Sequence, residues 1–157
     1  MLVRIKQRVL GRLVATLPAE VLLDQCKGRN AASASPDIMA LHGARLAIAS
    51  ETDEGAKISS SRVKLLTGGD RLTGRGLHDR RMTEFLPTHA LFLLTNHLPS
   101  VSAQDSAFWA RAQVLRFPFS YVDNPSGPMD RKRDPHLFEK LSTEASGILA
   151  WIVRGCL

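Results

Sequence analysis

The sequence predicts an α/β domain built on a parallel sheet, and three observations carry that expectation. Two short apolar runs, residues 45–50 (RLAIAS) and 88–95 (THALFLLT), have the length and character of strands buried on both faces. Both runs stop abruptly at polar residues, the first at Glu51-Thr52-Asp53-Glu54 and the second at Asn96. Segments of helical character alternate with them. A chain of that order is expected to gather its chemistry at the carboxyl edge of the sheet.

Taken in order, residues 2–15 (LVRIKQRVLGRLVA) place Leu2, Ile5, Val9, Leu10 and Leu13 near one face and predict a helix. Residues 18–24 (PAEVLLD) open on Pro18 and predict a second, short helix. Residues 28–36 (GRNAASASP) are small and polar, as in a surface loop. Asp37 is placed to cap a short helix ending before Gly43. After the first strand, residues 58–66 (ISSSRVKLL) predict a helix entered through serines and stopped by Thr67-Gly68-Gly69-Asp70. Residues 71–82 (RLTGRGLHDRRM) are basic and punctuated by glycine, which predicts a hairpin or loop. Residues 107–113 form a turn or short helix with Trp109 and Arg111. Residues 114–121 (VLRFPFSY) predict a third strand, at an edge or bulged because of Pro118. Residues 123–134 read as a loop, and residues 136–156 as a final helix with a break placed at Gly147. No internal repeat is present.

At 157 residues the chain is one domain long, with the apolar and charged fractions of a globular protein. No apolar run approaches the ~20 residues of a membrane span, and the scattered Arg4, Lys6, Arg8 and Arg12 leave no clean signal-peptide core. A cytoplasmic location without membrane attachment is expected. Cys26 and Cys156 form no CxxC pattern, and the five histidines lack ligand spacing, so neither a disulfide scaffold nor a metal site is expected. The formal net charge of +6 favours a polyanionic partner. Arg71, Arg75, Arg80 and Arg81 cluster in the glycine-punctuated segment, whereas Arg131, Lys132 and Arg133 read as a solvated loop.

Three features point to chemistry. Glu51 ends a strand, where an acidic residue holds magnesium or orients a water in phosphoryl transfer; a strand ending in acid is also common in α/β proteins generally. The run from Lys64 through Gly68-Gly69 leads to Arg71, Arg75 and His78 on a projecting turn. Such a turn suits either a single-strand backbone, where charge gives affinity without sequence choice, or plain solvent. Asn96, at the end of the second strand, is placed to sense a terminal phosphate or align water, or simply to turn the chain.

The ordered blocks GARLAIASETDEG, VKLLTGGDRLTGRGL, FLPTHALFLLTNHLP, AFWARAQVLRFPFSYVDNP and EKLSTEASGILAWIVRGC resemble superfamily 3 helicases. The nearest likeness is to the helicase domain of phage and plasmid primase–helicases, over about residues 8–157. The resemblance implies a P-loop NTPase fold, AAA+-like, in its C-terminal portion. It implies Glu51 as the Walker B acid, with Asp53 and Glu54 as further carboxylates supporting Mg2+ and ATP. Lys64 matches the B-prime lysine and Arg71, Arg75 and His78 the projecting hairpin, all four as DNA-binding residues; Asn96 matches the sensor asparagine, and Arg111 the arginine finger that reaches a neighbouring subunit's ATP. Ala110 stands where the family usually has a basic residue. ATP hydrolysis coupled to movement on single-stranded DNA, in a ring that is usually a hexamer, is the implied activity. No GxxxxGK[ST] occurs in these residues, so the first strand and phosphate-binding loop are expected to be missing from the fold. The alternatives are a non-enzymatic DNA-binding or assembly remnant of a prophage replication gene, or a subunit that only donates Arg111.

Overall fold

The computed structural model describes residues 1–24, 33–50, 57–98, 100–102 and 104–156. They form two units, Arg12–Ala112 and a second composed of Met1–Gly11 with Gln113–Leu157. The protein is mixed α/β with small parallel sheets.

In the larger unit a three-stranded parallel sheet runs in the order β1 (Val14–Pro18), β2 (Leu46–Ser50) and β5 (Ala90–Leu94). Val14 pairs with Leu46 and Leu46 with Ala90, and the ladder ends where Pro18, Ser50 and Leu94 stand side by side. Sequence patterning did not predict β1. The helix expected over residues 2–15 is α1 (Leu2–Leu10), and the chain leaves it at Gly11, where φ is 54°. A 3-10 turn follows over Gly11–Leu13, and then the alternating burial of Val14–Pro18. The short helix expected over residues 18–24 is a single 3-10 turn, Ala19–Val21.

β2 is the centre of this unit. Leu46, Ala47, Ile48 and Ala49 are all buried, as expected of a strand covered on both faces. Ala47 and Ala49 join Ala15, Leu17, Val21, Leu22, Ile38, Leu41, Ala44, Leu66, Leu72 and Phe85 in one core cluster. α2 (Pro36–Met39) covers part of it; Ser35, rather than Asp37, occupies its N-cap position. α3 (Ser60–Thr67) inserts Leu66, fully buried, and starts at Ser59, whose hydroxyl accepts the Arg62 N–H. Gly68 and Gly69 end it, the latter at φ 84°, as the serine entry and glycine stop predict. The basic segment is then an antiparallel hairpin, β3 (Leu72–Gly74) against β4 (Thr83–Phe85). The apolar sides of the hairpin, Leu72 and Phe85, face the core, so its tip projects from an anchored base.

In the smaller unit α1 packs against α5 (Leu137–Thr143) and α6 (Ala145–Arg154), with the Arg4 guanidinium 4.4 Å from the centroid of the Phe138 ring. The break in the final helix lies at Glu144, not Gly147. Just before it, Ser142 and Thr143 turn their hydroxyls onto the carbonyls of Phe138 and Lys140, the local competition that weakens helix propagation. Of the strand expected over residues 114–121, only β6 (Ser120–Val122) forms. It pairs with β7 (Asp130–Lys132), which lies in the stretch expected to be loop. Asp130 sets up that pairing by accepting the N–H groups of Ser126 and Gly127, and the two bonds hold its carboxyl below its ordinary range. Among the described residues, no helix is long and apolar enough to cross a membrane.

Candidate nucleic-acid and nucleotide site

Parallel register brings the carboxyl ends of β2 and β5 to one edge, since Ser50 pairs with Leu94. The chain then supplies Asn96 just beyond β5, exposed in a tight bend. The bend is fastened by Thr95, whose hydroxyl donates to the His97 carbonyl at 2.8 Å and accepts the His97 N–H at 3.3 Å. Glu51, Asp53 and Glu54 follow β2 in sequence and lie outside the described residues.

α4 (Ser106–Trp109) is short and capped by Asp105, whose carboxylate accepts the Phe108 N–H at 3.0 Å. Arg111 leaves the end of that helix on a turn in which its own N–H reaches the Phe108 carbonyl at 2.9 Å. Its guanidinium is exposed and donates to the Ala107 carbonyl at 2.7 Å.

The β3–β4 hairpin carries the basic residues. Arg71 stands across from Glu84 at 3.9 Å, a loose pair between side chains more than half exposed. His78, Arg80 and Arg81 are exposed at the tip. Arg75 is held at its backbone by Ser35: the Arg75 N–H donates to the Ser35 hydroxyl at 2.9 Å, and the Ser35 N–H donates to the Arg75 carbonyl at 2.8 Å. Its guanidinium donates to the Asp79 carbonyl at 3.0 Å, closing the tip. Arg71, Arg75 and His78 therefore share one hairpin, and the buried Ser35 holds it where β3 runs into the tip.

Lys64 is elsewhere. It extends from α3 to Asp105, 2.8 Å from one carboxylate oxygen and 3.0 Å from the other. Ser60, one turn earlier, donates to the same carboxylate. The Lys64 bond first, then those from Ser60 and the Phe108 N–H, bring the Asp105 pKa down to about 2. Sequence reasoning passed over Asp105. Its signal was local: an acidic residue directly before Ser106-Ala107-Phe108 at a helix start, which is an N-cap pattern.

Comparison with known proteins gives the same general direction. No family model matches the chain. It is similar to proteins that bear the name helicase. One is "Putative helicase L207/L206" of Acanthamoeba polyphaga mimivirus, 26% identical over 147 residues, covering 87% of this chain and 15% of that protein. Another is "Putative helicase 022R" of Frog virus 3 (isolate Goorha), 26% identical over 162 residues, covering 97% of this chain and 16% of that protein. The chain thus spans a small fraction of the length of the curated relatives it matches.

Proposed function

We propose that this chain is the sensor, hairpin and finger portion of an ATP-dependent DNA helicase of the superfamily 3 type. The observation that carries the proposal is the exposed basic hairpin, anchored by Leu72, Phe85 and Ser35, beside a parallel sheet whose strand ends run into Asn96 and the Glu51 segment. Arg71, Arg75 and His78 bind the phosphate backbone of single-stranded DNA, in which every residue offers the same anion and affinity comes without sequence choice. Asn96 aligns water or senses the terminal phosphate of ATP. Glu51, supported by Asp53 and Glu54, holds Mg2+, which neutralises charge on the transferring phosphoryl group. Arg111, facing outward, is delivered to the ATP of an adjacent subunit in a ring, where a finger supplied in trans stabilises the charge of the transition state.

The phosphate-binding loop must come from outside these residues, because they contain no GxxxxGK[ST]. We place its strand beside β5, one of the two terminal strands in the described sheet order, which sets the loop next to Asn96. Reading the coding DNA upstream of the Met1 codon tests this. An in-frame GxxxxGK[ST] followed by an uninterrupted frame is the expected result, and stop codons in that interval would contradict the proposal.

A further inference from the structure

Resting on that reading of Arg111 and of the hairpin, we infer that Asp105 is a positioning residue for the Arg111 turn, and that Lys64 is its intramolecular partner rather than a contact to DNA. The two halves of the inference come from one piece of geometry. Asp105 begins α4, and Arg111 lies on the turn that ends it, so the direction of the guanidinium follows the direction of four helical residues. A helix that short has no stability of its own, since a single turn fixes several dihedrals for very few hydrogen bonds. Its placement therefore depends on what holds its ends.

At the far end Phe108 is buried and sets the depth of α4. At the near end Asp105 is held from α3 by two donors one helical turn apart, Ser60 and Lys64, and in turn accepts the Phe108 N–H. Both donors converge on the one Asp105 carboxylate, so the start of α4 is held at a second point besides the Phe108 anchor. The indole of Trp109 adds a third restraint by donating to the Ser102 carbonyl at 3.1 Å. Lys64 contacts both carboxylate oxygens, and its side chain is 35% exposed against 20% for Asp105. Turning it toward a phosphate would leave the more shielded Asp105 carboxylate without its cation. Arg71 in the hairpin stands in a looser pair, 3.9 Å from Glu84 with both side chains more than half exposed.

α3 runs directly through Gly68-Gly69 into β3, so the element that receives Asp105 is the one that bears the hairpin. The Lys64–Asp105 pair is thus the link between the DNA-facing and the nucleotide-facing cations of the larger unit.

Trp109 reports on the turn in a Trp151→Phe background, read by acrylamide quenching of the whole chain, alongside titration of a labelled single-stranded oligonucleotide at several salt concentrations. Lys64→Met and Asp105→Asn are each expected to raise quenching of Trp109, and Lys64→Arg to restore it. Asparagine still caps a helix, so the Asp105→Asn effect reports the lost ion pair rather than a lost cap. The Lys64→Met variant is expected to keep the salt slope of its parent. Unchanged Trp109 quenching in both Lys64→Met and Asp105→Asn would overturn the inference, as would a Lys64→Met slope shallower by about 0.7, the loss of one phosphate contact. Should the parent show no salt-sensitive binding at all, the functional reading fails, while the Trp109 comparison still decides whether the pair sets the turn.

Discussion

The glycine pair that ends α3 gives two neighbouring substitutions with different physics. At Gly69 the backbone sits at φ 84° and an added Cβ meets nothing within 4 Å, so Gly69→Ala costs only backbone strain. A left-handed conformation in an L-residue costs roughly 1–2 kcal/mol. At Gly68 φ is −79°, comfortable for alanine, but a Cβ would lie 2.6 Å from the Lys64 carbonyl oxygen. That oxygen is backbone and cannot rotate aside, so Gly68→Ala must displace the last turn of α3, an overpacking cost of about 1–3 kcal/mol. Both are offset by about 0.4–1 kcal/mol because alanine stiffens the unfolded chain. Net losses of about 0.5–1 kcal/mol for Gly69→Ala and about 1–2 kcal/mol for Gly68→Ala follow. In thermal melts each kcal/mol is worth roughly 2–4 °C for a chain of this size. Gly69→Asn is expected to recover part of the loss, because asparagine tolerates the left-handed region. Urea and thermal denaturation of the three variants measure this. A Gly69→Ala protein as stable as the parent, or a Gly69→Asn protein less stable than Gly69→Ala, would refute the account of the turn.

Three further outcomes are expected. Leu66→Ala removes a fully buried side chain from the core cluster and is expected to cost about 2–5 kcal/mol, read as a lowered urea midpoint. Both ring nitrogens of His89 are buried without a hydrogen-bond partner among the described residues, and burial lowers its pKa below the ordinary 6.5. The unfolded chain therefore takes up this proton first, so stability is expected to be level above about pH 6.5 and to fall below it. A His89→Phe variant that keeps the same slope from pH 7 to 5 would contradict this. Finally, these 157 residues alone are expected not to hydrolyse ATP, for want of the amides and lysine of a phosphate loop. Magnesium-dependent turnover that disappears in Glu51→Gln would show otherwise.

What the sequence disclosed was governed by how local each signal is. β2 and β5 were legible as strands because both are unbroken apolar runs closed by polar residues, but the burial expected on both faces holds for β2 only, since Ala90 is exposed and Leu91, Phe92, Leu93 and Leu94 are half-buried. α3 and the hairpin were legible through Ser59, the glycine pair and the basic tip. β1 was not, because Leu13 and Val14 continue the helical spacing of α1 and only the backbone at Gly11 interrupts it. β6 lies at the end of the strand expected over residues 114–121, whereas β7 is three residues long and depends on a turn made by Asp130, below the reach of periodicity. The Lys64–Asp105 pair joins residues 41 positions apart with no repeating pattern between them, so it became visible only in the fold. For the same reason the Ser35–Arg75 anchor, 40 positions apart, gave no sign in the sequence.

The central claim is that the hairpin grips single-stranded DNA through phosphate charge. Titration of labelled oligonucleotides across a salt series measures it directly. With about three phosphate contacts from Arg71, Arg75 and His78, the slope of log affinity against log salt is expected near −2, independent of base sequence. The Arg71→Ala/Arg75→Ala double variant is expected to lose most of that slope. Binding indifferent to salt, or unchanged in the double variant, would contradict the account.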